Sequence, residues 1–244
     1  MKKLNLFVIS LLTIVFILLI SCTKIEIVYV KPIDSSIVDI DGNNYTKKTI
    51  GYQIWMVENL KTTTFNDGTP IPFVNNAEIW STSITPAYTE CNGNIINSET
   101  YGKLYNWHAV NTGKLCPTGW HVPSYNEWMQ LADYLGGDSI AGGKLKEAGF
   151  EHWEEPNVGA TNESGFTALP GGFIDYTGEF LNFERIGFWW TSTEYVTQNG
   201  FAPVENKGWN IILHKYFKNL YGSFETDYPY PKEAGMSVRC VKDY

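Results

Sequence analysis

Leu115-Cys116-Pro117-Thr118-Gly119-Trp120-His121-Val122-Pro123-Ser124-Tyr125-Asn126-Glu127-Trp128-Met129-Gln130-Leu131-Ala132-Asp133-Tyr134-Leu135-Gly136-Gly137 is the stretch from which the fold is read. Its second half predicts a helix over about 124–135. Pro123 stops whatever precedes it. Ser124 is a natural N-cap, and Glu127 three residues later completes a capping-box pattern. The Glu127 carboxylate also faces the positive end of the helix dipole. Trp128, Leu131, Ala132 and Leu135 follow at i, i+3, i+4 and i+7, one apolar stripe. Gly136-Gly137 then supplies a left-handed stop. Upstream, Cys116 is placed to fasten the approach to this helix to another part of the chain.

The rest of the composition suits a loop-rich domain around that helix. Aromatic residues make up 15% of the 244 residues and charged ones only 18%, which excludes a disordered chain. The 22 Gly and 11 Pro supply many turns. Once an N-terminal targeting segment is removed, the length holds one large domain and hardly two. Loss of Lys2 and Lys3 with that segment leaves 16 basic against 26 acidic side chains, a balance of −10. No basic stripe is present, so nucleic acid is not an expected partner.

Met1-Lys2-Lys3 is a basic start, and Leu4 to Ile20 is apolar apart from Asn5, Ser10 and Thr13. A transmembrane anchor is one reading of this run. A secretory signal is the sharper one. Leu19-Ile20-Ser21-Cys22 resembles the bacterial lipobox, which implies a signal peptide over residues 1–21 and lipid attachment at Cys22. Several acyl chains on one residue anchor stably where a single chain does not. Residues 22–36 then read as a lipidated tether and 37–244 as the domain. The implied address is the outer membrane of the cell envelope, with the surface as one of its two faces.

Within the domain, Ile37 to Val57 reads as a hairpin or meander turning at Asp41-Gly42-Asn43-Asn44. Residues 75–100 look polar and irregular, and 150–185 loop-like. Ala141 to Lys146 predicts a short second helix weakened by its glycines. Three strands are expected at Gly187–Thr193, Gly208–His214 and Met236–Val241. Helix content should be low and the sheets antiparallel, since no βαβ alternation is visible.

Seven or more motifs carry a family resemblance. They include Trp55-Met56-Val57-Glu58-Asn59-Leu60, Asn66-Asp67-Gly68-Thr69-Pro70, Tyr101-Gly102-Lys103-Leu104-Tyr105-Asn106-Trp107 and Cys116-Pro117-Thr118-Gly119-Trp120-His121-Val122-Pro123. Gly165-Phe166-Thr167-Ala168-Leu169-Pro170-Gly171-Gly172, Trp189-Trp190-Thr191-Ser192-Thr193-Glu194 and Ser237-Val238-Arg239-Cys240-Val241 follow in order. Together they resemble the Fibrobacter succinogenes major paralogous domain over about 38–242. The central stretch is similar, more distantly, to the formylglycine-generating enzymes. That similarity implies an α+β, C-type-lectin-like fold. Those enzymes use a reactive cysteine pair upstream of the final Arg-Cys, whereas 204–238 has no Cys here. Their activity is therefore not expected.

Cys116 and Cys240 lie in the strongest of these motifs, and in an oxidising compartment they are paired on that basis. Such a bridge is worth at most about 4–5 kcal/mol. Cys91 is left as an unpaired or alternatively paired thiol. The four His are separated in sequence, and three neighbour a Trp. Folding roles for them compete with a metal-binding His cluster. Glu155-Pro156-Asn157 resembles the tripeptide of mannose-type C-type lectins. Asn157, Asn162, Glu163 and Asp175 crowd one loop region with oxygens that suit calcium, the one cofactor considered. Trp107, His108, Trp189, Trp190 and Glu194 are candidate ligand residues, because aromatic faces stack on sugar rings and carboxylates bond hydroxyls. Adjacent strand residues face opposite sides, so at most one of Trp189 and Trp190 is core on the same sheet face; burial of both in an aromatic-rich core is favoured over a sugar platform.

The expected function is a non-catalytic, lipid-anchored extracytoplasmic binding domain with a glycan or protein ligand and no catalytic residues. The alternatives are an enzyme of unknown reaction on the same scaffold and a structural cell-surface protein. A concave pocket gathering His, Cys91 or carboxylates would favour the enzyme, and an open aromatic groove would favour binding.

Overall fold

The computed structural model describes residues 37–195, 206–221 and 229–244. The segments read as signal peptide (1–21) and lipidated tether (22–36), including Cys22, lie outside the described residues. The domain is a sheet-rich α+β fold whose named strands all pair antiparallel. Among the described residues no helix is long and apolar enough to cross a membrane.

Strands β1 (Ile37–Val38) and β2 (Asn44–Tyr45) form the first hairpin. The Asp39 carboxylate organises its turn, accepting from the Asp41 and Asn43 backbone and from Tyr45 Oη at 2.6 Å. Strands β3 (Lys47–Ile50) and β4 (Gln53–Met56) form a second, with Ile50 opposite Gln53 across the two-residue loop Gly51-Tyr52. Gly51 has φ 61°, a conformation that costs glycine little.

Residues 75–100 hold two helices that the sequence reading missed. They are α1 (Ala77–Ser81) and α2 (Ile95–Tyr101), each started by an Asn whose side chain accepts from the first turn, Asn76 and Asn94. Between them lie β5 (Tyr88–Thr89) and a 3-10 turn at Cys91–Gly93. Next come β6 (Leu104–Asn106), the one-turn α3 (Trp107–Val110) and β7 (Trp120–His121).

The expected central helix is α4, Tyr125–Tyr134, and Ser124 and Glu127 close both halves of the capping box. Its end is a Schellman motif. Gly137 N–H donates to Ala132 O at 2.9 Å and Gly136 N–H to Asp133 O at 3.0 Å, with φ 97° and 102°. Trp128, Leu131, Ala132 and Leu135 are all buried. Helix α5 (Asp138–Leu145) begins three residues earlier than the glycines suggest. Those glycines serve packing: a Cβ on Gly142 would lie 2.2 Å from Asn219 O, and one on Gly143 2.3 Å from Gly159 O.

Strands β8 (Phe173–Ile174) and β9 (Phe180–Leu181) precede the long hairpin of β10 (Ile186–Glu194) and β11 (Lys207–His214). The short β12 (Leu220–Tyr221) and β13 (Tyr230–Pro231) both pair with β11. The strand expected at Met236–Val241 is two strands in two sheets. Strand β14 (Gly235–Met236) sits between β6 and β8, and β15 (Val241–Lys242) between β4 and β7.

Strand β10 divides the interior. Phe188 and Trp190 face one apolar core with Tyr105, Met236 and Val238. Trp189 faces a second with Trp55, Trp128, Phe166 and Val241. Cys116 and Cys240 form a disulfide across 124 positions, beside the first core. Cys91 is a free, buried thiol.

Candidate functional site

Three of the ligand residues expected from sequence are buried. Trp189 and Trp190 have no exposed surface and Trp107 has 1%. Their indole N–H groups donate inward, to Asn59 Oδ1, Tyr105 O and Thr191 O at 2.9, 2.9 and 3.1 Å. Of the two readings of Trp189-Trp190, the structure has the buried one, not the sugar platform: a strand with cores on both sides hides both rings. Glu194 is brought toward Trp107 through Lys232, whose Nζ bonds the Glu194 carboxylate and lies 4.7 Å from the Trp107 ring centre. The ammonium thus covers the indole. His108 is half-buried, and burial pushes its pKa below the ordinary imidazole value, with Glu233 opposing. The five residues do not line one open surface.

The four residues read as calcium ligands each make bonds of their own. Asn157 is 5% exposed and its Nδ2 donates to Glu147 O and Gly149 O. Asn162 clasps Thr167 through both ends of its amide. Glu163 pairs with Lys144 at 2.8 Å. Asp175 Oδ1 closes the β8–β9 turn, accepting from Thr177 N, Thr177 Oγ1 and Glu179 N. Short polar side chains in loops find local backbone donors first. The four His do not cluster either. His121 bonds Glu127 and Asp243, His152 bonds Glu147, and His214 stacks on Tyr216.

The most perturbed groups serve the fold. Lys146 is fully buried, and its Nζ donates to Val158 O, His214 O and Phe217 O at 3.0, 3.0 and 2.9 Å. Burial pushes its pKa down to about 8, yet all three of its protons are used. Arg239 is buried against Phe166 and Trp189, and burial pushes its pKa down to about 9. The Cys91 thiol bonds Gly171 O, and burial pushes it up to about 12, which keeps it from being a nucleophile. Nothing in the sequence pattern marked Lys146, which stands in an ordinary helical run.

Among the described residues, an open concave surface lies where the β3–β4 turn meets the last turn of α4. A groove of about 300 Å³ is lined by Ile50, Tyr52, Gln53, Gln130, Asp133 and Tyr134. Tyr52 is 97% exposed and Tyr134 62%. The Tyr134 ring rests directly on the turn, since a Cβ on Gly51 would lie 2.8 Å from its Cγ. Gln53 fixes this wall to the helix: its Nε2 donates to Glu127 O at 3.0 Å, and its Oε1 accepts from Trp55 Nε1. Gln130 and Asp133 are exposed at the rim. A second, more polar groove shares Ile50 and Tyr134 and adds Lys48, Lys144, Glu163 and Ser164. Tyr134 is thus the ridge between two continuous concavities. Its chemistry is that of contact: exposed ring edges and faces beside carboxylate, amide and ammonium groups.

No curated protein and no solved structure matches the chain. A family model described as the Fibrobacter succinogenes major domain matches residues 49–242, from β3 through the disulfide to β15, and the chain therefore belongs to the Fibrobacter succinogenes major domain family.

Proposed function

We propose that this is a non-catalytic binding domain of an outer-membrane lipoprotein, anchored through Cys22, and that its ligand is a glycan. The observation that carries the reading is the pair of exposed tyrosines, Tyr52 and Tyr134, on one shallow groove rimmed by Gln130 and Asp133. Ring faces suit the apolar faces of sugars, and planar amide and carboxylate groups suit paired hydroxyls. A shallow groove takes a polysaccharide without excluding water, which binding tolerates and most catalysis does not. In this reading the fold is C-type-lectin-like. The antiparallel pairing of β4 with β15 and the packing of two successive helices on the interior support it.

A glycan array probed with the full-length chain tests the proposal, with Tyr52→Ala and Tyr134→Ala as variants. Retention of a defined glycan class that both variants weaken at least tenfold is the expected result. Retention of none, or retention indifferent to both variants, sinks it. Palmitate-analogue labelling tests the anchor separately. Cys22→Ala should abolish the label and release the protein from membranes.

A further inference from the structure

The chain just after α5 runs Lys146-Glu147-Ala148-Gly149-Phe150-Glu151-His152-Trp153. Glu147, Glu151 and His152 each place one metal-ligating atom within 4.8 Å of the others. His152 Nδ1 is 2.9 and 3.0 Å from the two Glu147 oxygens. Glu147 and His152 are half-buried, and Glu151 is exposed. We propose that these three side chains bind one divalent first-row transition-metal cation of the zinc class.

The backbone that carries them is fixed from below. Glu147 N–H donates to Ala168 O at 3.1 Å. Trp153 is buried and its Nε1 donates to the same oxygen at 3.0 Å. Asn157 Nδ2 holds Glu147 O and Gly149 O at 2.9 and 2.8 Å. The His152 ring meets Tyr101 edge-on at 5.5 Å, which limits its rotation. Ligand side chains on a supported loop lose little entropy when they close on an ion.

A His152–Glu147 hydrogen bond by itself leaves one fact over. It is the approach of a second carboxylate, Glu151, to the same point, where two negative groups repel. A dication there neutralises both carboxylates.

The donor set selects the ion. One imidazole and two carboxylates suit zinc, with bonds of about 2.0–2.2 Å, and leave a fourth position to water on the exposed side. Calcium takes about six to eight oxygens and few imidazoles.

Calorimetric titration of the full-length chain with zinc chloride tests this, with cobalt(II) absorption reporting coordination geometry. The expected result is one equivalent bound, weakened at least tenfold by each of Glu147→Gln, Glu151→Gln and His152→Ala. Circular dichroism checks that each variant folds, and the exposed Glu151→Gln keeps the test sharp if the others do not. Two results overturn the proposal: no stoichiometric binding, or binding that Glu151→Gln and His152→Ala leave unchanged, which is an adventitious ion only.

Discussion

Asn59 and Arg239 share one buried oxygen: Arg239 Nε and Nη2 both donate to Asn59 Oδ1, at 3.1 and 2.8 Å, across 180 positions. Trp189 Nε1 donates to the same atom at 2.9 Å. The guanidinium also bonds Phe166 O and Thr167 O. Carbonyl oxygens and aromatic faces thus hold a fully buried cation. Asn59→Ala should cost about 3–5 kcal/mol, the cost of leaving a buried charge short of its partner. Urea denaturation measures it, and a loss under 1 kcal/mol would refute this account of Arg239.

Cys116 and Cys240 are bridged. Cys116→Ser and Cys240→Ser should each lower stability by up to about 4–5 kcal/mol, and the double variant no further, because one bond is shared. Cys91→Ser swaps a buried thiol for a hydroxyl that still reaches toward Gly171 O, and should cost about 1 kcal/mol. Equilibrium unfolding of the four variants checks the order. Additive losses at Cys116 and Cys240 would count against a shared bond.

His121 lies between Glu127 Oε1 at 2.8 Å and Asp243 Oδ1 at 2.6 Å. The Glu127 hydrogen bond and then Asp243 raise its pKa to about 9 against opposing burial. A raised folded-state pKa contributes stability that is fully present below the unfolded imidazole value and is lost as pH rises through about 9. Stability should therefore fall between about pH 6.5 and 9, and His121→Gln should flatten that slope. Thermal melts across this window are the check. Since the ring is partly exposed, the slope is modest and salt-sensitive.

Gly142→Ala sets two effects against each other. Helix propensity favours alanine by about 1 kcal/mol. The added methyl, however, would lie 2.2 Å from a backbone carbonyl oxygen, Asn219 O, which cannot rotate away. Overpacking of this kind costs about 1–3 kcal/mol, so the variant should melt below the parent. A higher melting temperature would show that the 218–220 segment yields.

The parts legible in the sequence are those whose cause is local. Ser124, Glu127 and Gly136-Gly137 write the boundaries of α4 in their own chemistry, and the alternation of Trp189 and Trp190 implies two faces. Helices α1 and α2 show no apolar stripe because each buries a single large side chain, Trp80 and Tyr101, while Ile79, Ile95 and Ile96 are 59%, 64% and 73% exposed. Their Asn caps were the available signal. Met236 to Val241 reads as one strand because residues 237–241 are all buried, yet their neighbours belong to two sheets. The groove escaped for a related reason. Tyr52 is exposed because it occupies a two-residue hairpin loop, where a ring has no interior to enter, and Tyr134 joins it only through tertiary packing on Gly51. At the richest aromatic run, Trp189-Trp190, the rings are spent on the core.

The placement of β14 and β15 has a consequence for synthesis. Both are interior strands: β14 (Gly235–Met236) lies between β6 (Leu104–Asn106) and β8 (Phe173–Ile174), and β15 (Val241–Lys242) between β4 (Gln53–Met56) and β7 (Trp120–His121), all made earlier. Two sheets therefore stay open until residue 242 has left the ribosome. Non-local closure of this kind is slow, and the hairpin edges at β4 and β6 remain unpaired while it is awaited. On the lipoprotein reading proposed above, such a delay would suit export, because the polypeptide stays unfolded until its whole length is available.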